Sequence, residues 1–496
     1  MKKQEYTYDD EGRIKTRNPF VYFTDKNAKE GYVPNREMTA FSLGLAGQNL
    51  TYNLVNSWLF YFCTNILHIS SLNVGIITSV SRIWDGINDP LVGSLIDRRR
   101  AAPGQKLHPF LGKLPLIVGI LTLLMFVDFG FSETVSMAFI LCVYLAWDMF
   151  YSFQDVALWG TLSLISPFSK ERSRVAQWLN IFISAACGLV GLIPLILGAR
   201  QALGVSEKTL FFIFGLVFGF GGELLSMFAA KTKERVILNQ DTENVSIKEN
   251  FKILLSNRNM LCLILAQVLG SLSLTVPWIY FFKYCVSYQI GGFSMNGETA
   301  QFWYSAIASI PGAFAMFFAV KIANKMGGRK NVLIISKVAT VIIRIIAFFI
   351  GYKTFPQIIT VAILMSLITI PESATNMSLR SLIADSIDYM EWKTGKRTEG
   401  LVSSMQNFTA KITAAIQLFI NGLILELLHF DGSIEGIAGQ SQAFYDWQWP
   451  LFILGPAIGA FLYMIPAFFI KDNKKEREQI ENELRSRREA QAASEN

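Results

Sequence analysis

The sequence has few of the residues that build metal and disulfide sites. Only five cysteines and three histidines occur in 496 residues. They stand singly and far apart, at Cys63, Cys142, Cys187, Cys262, Cys285, His68, His108 and His429. This spacing gives neither a disulfide framework nor a zinc-ligand motif. The sequence therefore predicts no resident metal, no thiol chemistry and no cofactor.

Charged residues are also scarce, at 17% of the chain, whereas hydrophobic residues make up 52%. The mean hydropathy is +0.36, and apolar runs of about 20 residues recur, the length that a helix needs to cross a bilayer. The sequence therefore predicts a multi-pass protein of the lipid bilayer. The basic start of the chain has no apolar core before Met38, so we expect the first spanning helix to direct insertion in place of a cleavable signal peptide.

Twelve apolar segments divide the chain, each near or above the length of one membrane span. They cover residues 40–66, 72–96, 109–130, 134–164, 176–199, 209–230, 259–286, 300–324, 331–352, 356–384, 400–428 and 447–470. The pattern predicts an all-α membrane protein with twelve transmembrane helices.

Basic residues concentrate in alternate connections between these segments. Residues 98–100 and 231–235 are examples, while opposite connections such as "HISSLN" have almost none. The positive-inside rule then places both termini in the cytoplasm, as expected for a protein of the cell (inner) membrane. The net charge of +7 largely reflects this asymmetry, which argues against a nucleic-acid partner.

The longest polar interruption, residues 232–257, separates six segments from six. Basic loops, "GSLIDRRR" and "ANKMGGRK", follow the second and eighth segments at matching places. We therefore predict two pseudo-symmetric six-helix bundles, residues 39–231 and 258–470, with cytoplasmic tails at 1–38 and 471–496. Many secondary transporters are built this way, with the ligand site near the middle of the membrane between the halves. The last tail mixes both charge signs, so we expect it to be solvated and partly helical.

Two acids lie inside the second apolar segment, "SVSRIWDGINDPLVGSLIDRRR". Asp85 is near its centre, Asp89 follows one turn later on the same helix face, and Asn88 adds an amide oxygen. Each acid costs at least ~2.5 kcal/mol at the centre of a spanning helix, and two negative charges also repel. A bound monovalent cation or proton offsets both costs. A structural salt bridge, to Arg82 or to another helix, is the alternative.

The eleventh and fourth segments carry further charges. Lys411 lies midway along the eleventh, with Gln406 and Asn407 one turn earlier, and a lysine there needs a partner or a wet cavity. In the fourth segment Asp155 shares a helix face with Tyr151 and Trp159. An acid flanked by aromatic rings suits a sugar, because hydroxyls bond to the carboxylate and the sugar face stacks on indole. The alternative is that Trp159 packs between helices and Asp155 pairs with a neighbour.

Other polar residues in apolar segments have less definite interpretations. Asn49, Asn53 and Asn56 form an amide stripe in the first segment, which either lines a cavity or joins helices. The roles of three more charged residues stay open at this point, namely Glu372, Arg344 and Asp148.

Two longer strings carry a family resemblance. "RIWDGINDPLVGSLIDRRR", with the following Gly and Pro of "GQKLHPF", and "ADSIDYMEWKTGKRTEG" resemble the two signatures of the glycoside/pentoside/hexuronide cation symporters, the melibiose-permease-like branch of the major facilitator superfamily. The resemblance runs roughly from Met38 to Lys471. It implies two six-helix bundles, alternating access, and uptake of a sugar or glycoside driven by sodium or protons. No enzyme activity is implied.

The resemblance also implies roles for individual residues. The cation site would comprise Asp85, Asn88 and Asp89, with the hydroxyl of Ser152 from the fourth helix. The sugar site would include Asp155, Trp159, Tyr151 and Arg82, and Lys411 would be the family's lysine of the eleventh helix. From the residues themselves we add Gln406, Asn407 and Asn49 as candidate sugar contacts. Because melibiose permease has an acidic sugar ligand where this chain has Asn49, galactoside specificity is not implied.

Charged residues at the cytoplasmic helix ends complete the predicted set. Ion pairs there would latch the inward side shut, and their breaking would shift a conformational equilibrium. The candidates are Asp97, Arg98, Asp388, Glu391 and Arg397. A solvated charge run is the alternative for residues 98–100. At the level of function, the alternatives to symport are a facilitator or exporter of the same superfamily, and a membrane-embedded sugar receptor or enzyme.

Overall fold

The computed structural model describes residues 32–98, 106–236, 257–315, 328–394 and 399–494, and the single positions 318, 321 and 326. The chain forms two compact units. The first comprises the described residues of 1–69 and 84–241, and the second those of 70–83 and 242–496. Each unit has its own core.

Helices make up most of the described chain as far as residue 231. They are α1 (Asn35–Asn65), α2 (Ser71–Arg98), α3 (His108–Met125), α4 (Glu133–Leu164), α5 (Ser169–Val190), α6 (Ile193–Gly198), α7 (Arg200–Leu203), α8 (Glu207–Phe214) and α9 (Gly221–Ser226), with a π-helical segment at Gly215–Phe220 and a 3₁₀ turn at Met227–Lys231.

The remaining described residues are mainly helical too. The elements are α10 (Arg258–Gly270), α11 (Trp278–Cys285), β1 (Ser287–Ile290), β2 (Phe293–Asn296), α12 (Gly297–Ala315), α13 (Arg329–Ile350), α14 (Phe355–Thr394), α15 (Glu399–Leu427), α16 (Gln442–Ile453), α17 (Gly455–Ala467) and α18 (Lys474–Ser494). The two strands pair antiparallel, with Ser287 opposite Asn296. This short hairpin was not expected from the sequence.

Every predicted apolar segment contains helix, which confirms the all-α prediction. Seven helices of the described chain are long and apolar enough to cross a membrane by themselves: His108–Met125, Glu133–Leu164, Ser169–Gly198, Glu207–Lys231, Arg329–Ile350, Phe355–Lys393 and Val402–Leu427. An eighth results if α16 and α17, bent by 43°, are counted as one span. Helices α1 and α2 are long enough, at 31 and 28 residues, but carry many polar side chains. The count of twelve spans stays a prediction.

The seventh apolar segment is broken rather than continuous. Helix α10 ends at Gly270, and α11 begins only after Pro277, whose ring removes a backbone donor and disfavours helix in the residue before it. The chain between them packs on the break that separates α16 from α17. There the hydroxyl of Ser273 donates to the carbonyl oxygen of Gly455 over 3.1 Å.

In the first unit, close backbone contact holds α1 against α9. A Cβ atom added to Gly47 would lie 2.2 Å from the carbonyl oxygen of Gly222. No larger residue fits this contact without movement of the helices. The contact brings the polar middle of α1 next to the polar residues of α9.

The first half of α2 packs within the second unit, against α15. Gly75 and Gly422 lie face to face, since a Cβ on Gly422 would approach the Cα of Gly75 to 2.8 Å. One turn further along α2, the hydroxyl of Ser79 donates to the carbonyl oxygen of Ala415 over 2.8 Å. These contacts explain why residues 70–83 group with the second unit.

The C-terminal tail is helical but is not simply solvated, which corrects the sequence-based expectation. Helix α18 packs along the end of α14. The indole nitrogen of Trp392 donates to Glu483 over 2.6 Å, and Arg487 donates to the carbonyl oxygen of Trp392 over 3.0 Å. Ile480 and Leu484 are buried. These two apolar residues lie one turn apart and give the tail a face that packs on α14. The many charged residues around them are the reason that the sequence analysis expected a solvated tail.

Candidate functional site

The predicted cation ligands lie in buried parts of α2 and α4. Asp85 and Asn88 are 7% and 5% exposed, Ser152 is 1% exposed, and Asp89 is half-buried. The amide nitrogen of Asn88 and the hydroxyl of Ser152 make no hydrogen bond to any described residue. Because buried polar atoms are nearly always bonded, each of these two atoms is available to a further polar group. A hydroxyl oxygen and carboxylates are the donor types that a hard monovalent cation prefers.

Asp85 of α2 and Asp155 of α4 both lie within electrostatic range of the Tyr151 hydroxyl, as do Tyr52 and Glu223. The structure therefore brings part of the predicted cation set close to part of the predicted sugar set, within the first unit. A change of charge on α2 is felt at the phenol that neighbours Asp155.

Tyr151 itself is held in an aromatic stack. Its ring lies 4.6 Å from that of Trp147 and 5.6 Å from that of Tyr52, both nearly parallel at 17°. The indole nitrogen of Trp147 donates to the hydroxyl of Thr122 on α3 over 2.8 Å. Because Tyr151 is buried among these rings, its ring offers little surface to a ligand.

Asp155 is positioned by a residue that the sequence analysis missed. The side-chain nitrogen of Gln48 on α1 donates to its carboxylate over 2.6 Å. Asn49, the predicted residue, donates instead to the carbonyl oxygen of Leu45 over 2.9 Å and to the oxygen of Gln48 over 3.4 Å. The only available signal was a glutamine inside an apolar run. The neighbouring asparagine stripe drew attention away from it.

Trp159 is accessible rather than packed between helices. Its side chain is 45% exposed, which disagrees with the interhelical packing considered as an alternative. It lies one turn from Asp155 on α4, as the sequence spacing predicts. An accessible indole beside an oriented carboxylate is an arrangement that can stack on and hydrogen-bond a sugar.

The asparagine stripe of α1 mostly bonds to its own helix. Asn53 donates to the carbonyl oxygen of Asn49 over 2.8 Å and approaches the sulfur of Cys187 on α5 at 3.3 Å. The side chains of Asn49 and Asn53 are half-buried. This part of the stripe therefore connects neighbouring turns and a neighbouring helix.

A second polar cluster of the first unit was also missed. The amide nitrogen of Gln154 on α4 donates to Glu223 over 2.6 Å and to the hydroxyl of Ser226 over 2.8 Å, both on α9. Glu223 is fully buried, and its Oε1 makes no hydrogen bond among the described residues. The signal for this cluster was a single acid in the sixth apolar segment, which the sequence analysis did not single out.

The predicted lysine and amides of α15 belong to the second unit. Lys411 is half-buried midway along the helix, and Asn407 is exposed. Gln406 accepts a hydrogen bond from Gln267 of α10 over 3.2 Å. Arg82 is 6% exposed on the half of α2 that belongs to this unit.

The structure gives the burial or the contacts of the three charged residues whose roles the sequence left open. Asp148 is 2% exposed in α4. Arg344 donates through Nη1 to the carbonyl oxygens of Ile453 and Phe452, over 3.1 and 3.4 Å. Glu372 forms an ion pair with Lys337, at 3.4 Å between Oε1 and Nζ. Arg344, Glu372 and Lys337 line one cavity of about 520 Å³ in the second unit.

The cytoplasmic latch residues are only partly described. Asp388 and Glu391 are half-buried near the end of α14. In the same part of the fold, Asp385 forms ion pairs with both Arg329 and Arg477. The side chains of two predicted members at the end of α2 and the whole of a third lie outside the described residues, namely Asp97, Arg98 and Arg397.

Comparison with known proteins identifies relatives over most of the chain. The family model described as MFS/sugar transport protein matches residues 40–474. The lactose permease of Leuconostoc lactis is 28% identical over 415 residues, which cover 78% of this chain and 61% of that permease. The isoprimeverose transporter of Lactiplantibacillus pentosus is 24% identical over 449 residues, 90% of each protein.

Solved structures share the fold. An inward-facing bacterial homologue of the human lysosomal transporter Spinster aligns with a TM-score of 0.60 at 11% identity, over 88% of this chain and 97% of that one. This likeness indicates how the helices are arranged and says nothing about what they bind.

Proposed function

The chain belongs to the MFS/sugar transport protein family, and from this premise we propose that it is a symporter that carries a sugar or glycoside into the cell together with a sodium ion or a proton. Its class is plain from the family: it is a multi-pass sugar transporter with the major facilitator fold and not an enzyme. Cation coupling, inward direction, the cell membrane as its location and cytoplasmic termini belong to the proposal.

The observation that carries the proposal is the burial of oxygen-bearing side chains in membrane-spanning helices, with Asp85 and Asn88 buried on α2 and Ser152 buried on α4. The Ser152 hydroxyl makes no hydrogen bond among the described residues and is therefore available to a ligand. A cation coordinated by Asp85, Asp89 and the Ser152 hydroxyl neutralises carboxylates whose burial is costly. Protonation of one of the two acids has the same electrostatic effect.

Coupling to the sugar follows from the shared tyrosine. A positive charge bound at Asp85 changes the potential at the Tyr151 hydroxyl, which also feels Asp155. We assign Asp155 as the carboxylate that accepts hydrogen bonds from sugar hydroxyls and Trp159 as the stacking surface. Tyr151 contributes its hydroxyl, and Gln48 orients Asp155.

Other proposed sugar contacts rest on the sequence and the family resemblance, without a supporting contact in the structure. They are Asn49, Arg82, Lys411, Gln406 and Asn407. The proposed inward latch rests on the resemblance too, with Asp97, Arg98, Asp388, Glu391 and Arg397 forming cytoplasmic ion pairs that open and close during alternating access. The membrane potential adds about 2.3 kcal/mol per 100 mV for each positive charge carried inward.

Uptake into proteoliposomes tests the proposal. A panel of radiolabelled glycosides, pentosides and uronides is offered under imposed sodium gradients, imposed pH gradients or neither. We expect at least one sugar to accumulate unmodified above its external concentration under one gradient only. Flux that merely equilibrates and ignores both gradients would identify a facilitator, and accumulation that requires the opposite gradient would identify an exporter.

A further inference from the structure

A buried acid of α9 has no part in the proposed transport mechanism. Glu223 lies within the membrane-spanning helix Glu207–Lys231 and is 0% exposed. A charged carboxylate in such a place is costly unless a cation or a full set of hydrogen bonds compensates it. The groups around Glu223 therefore decide whether the fold contains its charged or its neutral form.

The side-chain amide of Gln154 on α4 bonds to one of the two carboxyl oxygens. Its Nε2 donates to Oε2 of Glu223 over 2.6 Å and to the hydroxyl of Ser226 over 2.8 Å, so both amide hydrogens are used. Oε1 of Glu223 and Oε1 of Gln154 are both buried, and neither makes a hydrogen bond to any described residue. The pair thus contains one unmatched acceptor on each side chain.

One proton on Glu223 would satisfy both of these acceptors. A protonated carboxyl group carries an O–H donor, whereas the ionised form can only accept. The acid O–H would donate to the amide oxygen of Gln154, while the amide N–H donates to the other carboxyl oxygen. In the ionised form both Oε1 atoms would stay buried without a donor, which is costly and rare in folded proteins.

The neighbouring helices leave little room for a metal cation in place of the proton. A Cβ atom added to Gly119 of α3 would lie 3.0 Å from the Cβ of Glu223. A Cβ atom added to Gly222, the preceding residue, would lie 2.8 Å from the carbonyl oxygen of Gly47 on α1. Hard metal cations need a shell of several oxygen ligands, whereas a proton needs only the oxygen that it binds.

The helices that pack on Glu223 bring no basic side chain close to it. Helix α1 carries no charged residue after Glu37, and α4 contains no lysine or arginine. Helix α3 carries none after Lys113, which lies six residues, or about 9 Å, before the point of contact with Glu223. On its own span Lys231 follows two turns later, with its ammonium group 4.4 Å from the centre of the Phe228 ring.

The charged residues in the middle of α4 are acids, Asp148 and Asp155. The hydroxyl of Tyr151, between them, lies within electrostatic range of Glu223. A negative charge on Glu223 would be repelled by these groups, because like charges at short range disfavour ionisation. Neutralisation by a proton avoids this repulsion and the cost of burying a charge.

We propose that Glu223 is a proton-binding site of the folded protein, separate from the acids of α2, and that its neutral carboxyl group and the amide of Gln154 form two parallel hydrogen bonds joining α9 to α4. The inference goes beyond the proposed symport and does not depend on it. Gln154 directly precedes Asp155, so the pair fixes the turn of α4 that carries the proposed sugar carboxylate.

Infrared difference spectroscopy of the purified protein at neutral pH tests the inference, with no sugar and no gradient. The probe is the bound proton itself, because a protonated carboxyl group has a carbonyl stretching band that a carboxylate lacks. The spectrum of the wild type minus that of Glu223→Gln should contain this acid band and no carboxylate bands. Carboxylate bands in its place, whether the ionised group is bare or binds a metal cation, overturn the inference.

Isotope labelling assigns the band to its residue type. Carbon-13 in the side-chain carboxyl group of glutamate should move the band to lower frequency, and the same label in aspartate should leave it in place. A band that follows the aspartate label belongs to another acid, such as Asp85 or Asp89, and overturns the inference. Glu435→Gln is the matched control. It removes an exposed acid from the loop before α16 and should remove carboxylate bands only.

Gln154→Leu tests the hydrogen-bonded pair and keeps the experiment decisive if Glu223→Gln fails to fold. The acid band should remain in this variant but move to higher frequency, because the carboxyl group loses its amide partner. An unchanged band position in folded Gln154→Leu overturns the inference. These spectra are recorded without transport, so failure of the proposed symport leaves their outcome unaffected.

Discussion

Gln48 donates a 2.6 Å hydrogen bond to the carboxylate of Asp155 and so ties α1 to α4 within the first unit. Gln48 is 1% exposed, so its amide cannot easily turn to solvent. A hydrogen bond from a buried amide fixes the orientation of the carboxylate. The pair therefore prepares Asp155 to receive hydroxyl groups.

Gln48→Ala should weaken sugar affinity, because Asp155 loses the donor that orients it. A hydrogen bond to a charged group contributes about 1.5–3 kcal/mol, so we expect a loss of roughly 10- to 100-fold, measured by equilibrium binding of a transported sugar. Asn53→Ala is the matched control. Asn53 lies on the same helix and bonds to the carbonyl oxygen of Asn49, so its loss should have a smaller effect. An equal or larger effect of Asn53→Ala would contradict the role assigned to Gln48.

Asp155→Ala and Trp159→Ala should each weaken sugar binding while the protein still reaches the membrane. The first removes a charge-assisted hydrogen bond of about 1.5–3 kcal/mol and the second a stacking surface of similar effect. Trp159 is 45% exposed, so its removal should not reduce folded yield. Unchanged affinity in both variants, measured directly, would show that the sugar binds elsewhere.

Lys411→Ala should impair gradient-driven uptake more than membrane insertion. The lysine lies midway along α15. A charged side chain at this depth in a membrane is costly and usually has a functional role. We expect at least about a 10-fold fall in the initial rate of coupled uptake, with surface expression little changed. Lys411→Arg keeps the charge and should retain more activity. Wild-type accumulation by Lys411→Ala contradicts this role.

The residues that sequence reasoning located are those whose chemistry conflicts with their setting. Asp85, Asp155, Lys411 and Arg344 were all noticed because a charge within an apolar segment is expensive. Helical periodicity likewise placed Trp159 and Asp155 on one face of α4. Such local signals need no knowledge of which helices are neighbours.

The residues that it missed depend on contacts between helices. Gln48 became part of the site only because α1 places it beside Asp155, and Gln154 only because α9 brings Glu223 to it. The residues at the break before Pro277 do not stand out in composition, so the seventh segment looked continuous. The docked tail depends on two apolar residues in a charged sequence, which hydropathy averages away.

Docking of the C-terminal helix should weaken at acidic pH. Hydrogen bonds from Trp392 and Gln479 hold the pKa of Glu483 below its usual value of about 4.3. A lowered folded-state pKa gives a stabilising contribution that is complete above the unfolded value and is lost as pH falls through the folded one. Hydrogen exchange of residues 474–494, corrected for intrinsic rates, should therefore rise below about pH 4. Glu483→Gln should remove this dependence, and the same rise in both proteins would assign it to another group.

Asp85→Asn and Asp89→Asn distinguish a coupling-ion site from a structural ion pair. Both changes preserve side-chain shape but remove the charge that attracts a cation. If the acids hold the coupling ion, the variants should fold and bind or exchange sugar, yet fail to concentrate it under any gradient. If they form a structural ion pair instead, each change leaves a buried cation without its partner. The loss of about 3–5 kcal/mol in stability should then lower the folded yield.

Three measurements on each variant separate these outcomes: folded yield, equilibrium sugar binding, and uptake into vesicles under imposed sodium and pH gradients. Ser152→Ala extends the test, because it removes only a neutral hydroxyl that makes no hydrogen bond to described residues. A cation site loses a ligand in that variant, so the sodium concentration for half-maximal uptake should rise if sodium is the coupling ion, and the response to a pH gradient should persist if it is the proton. Well-folded Asp85→Asn and Asp89→Asn proteins that still accumulate sugar would contradict the assignment, because no carboxylate would then be needed to hold the driving cation.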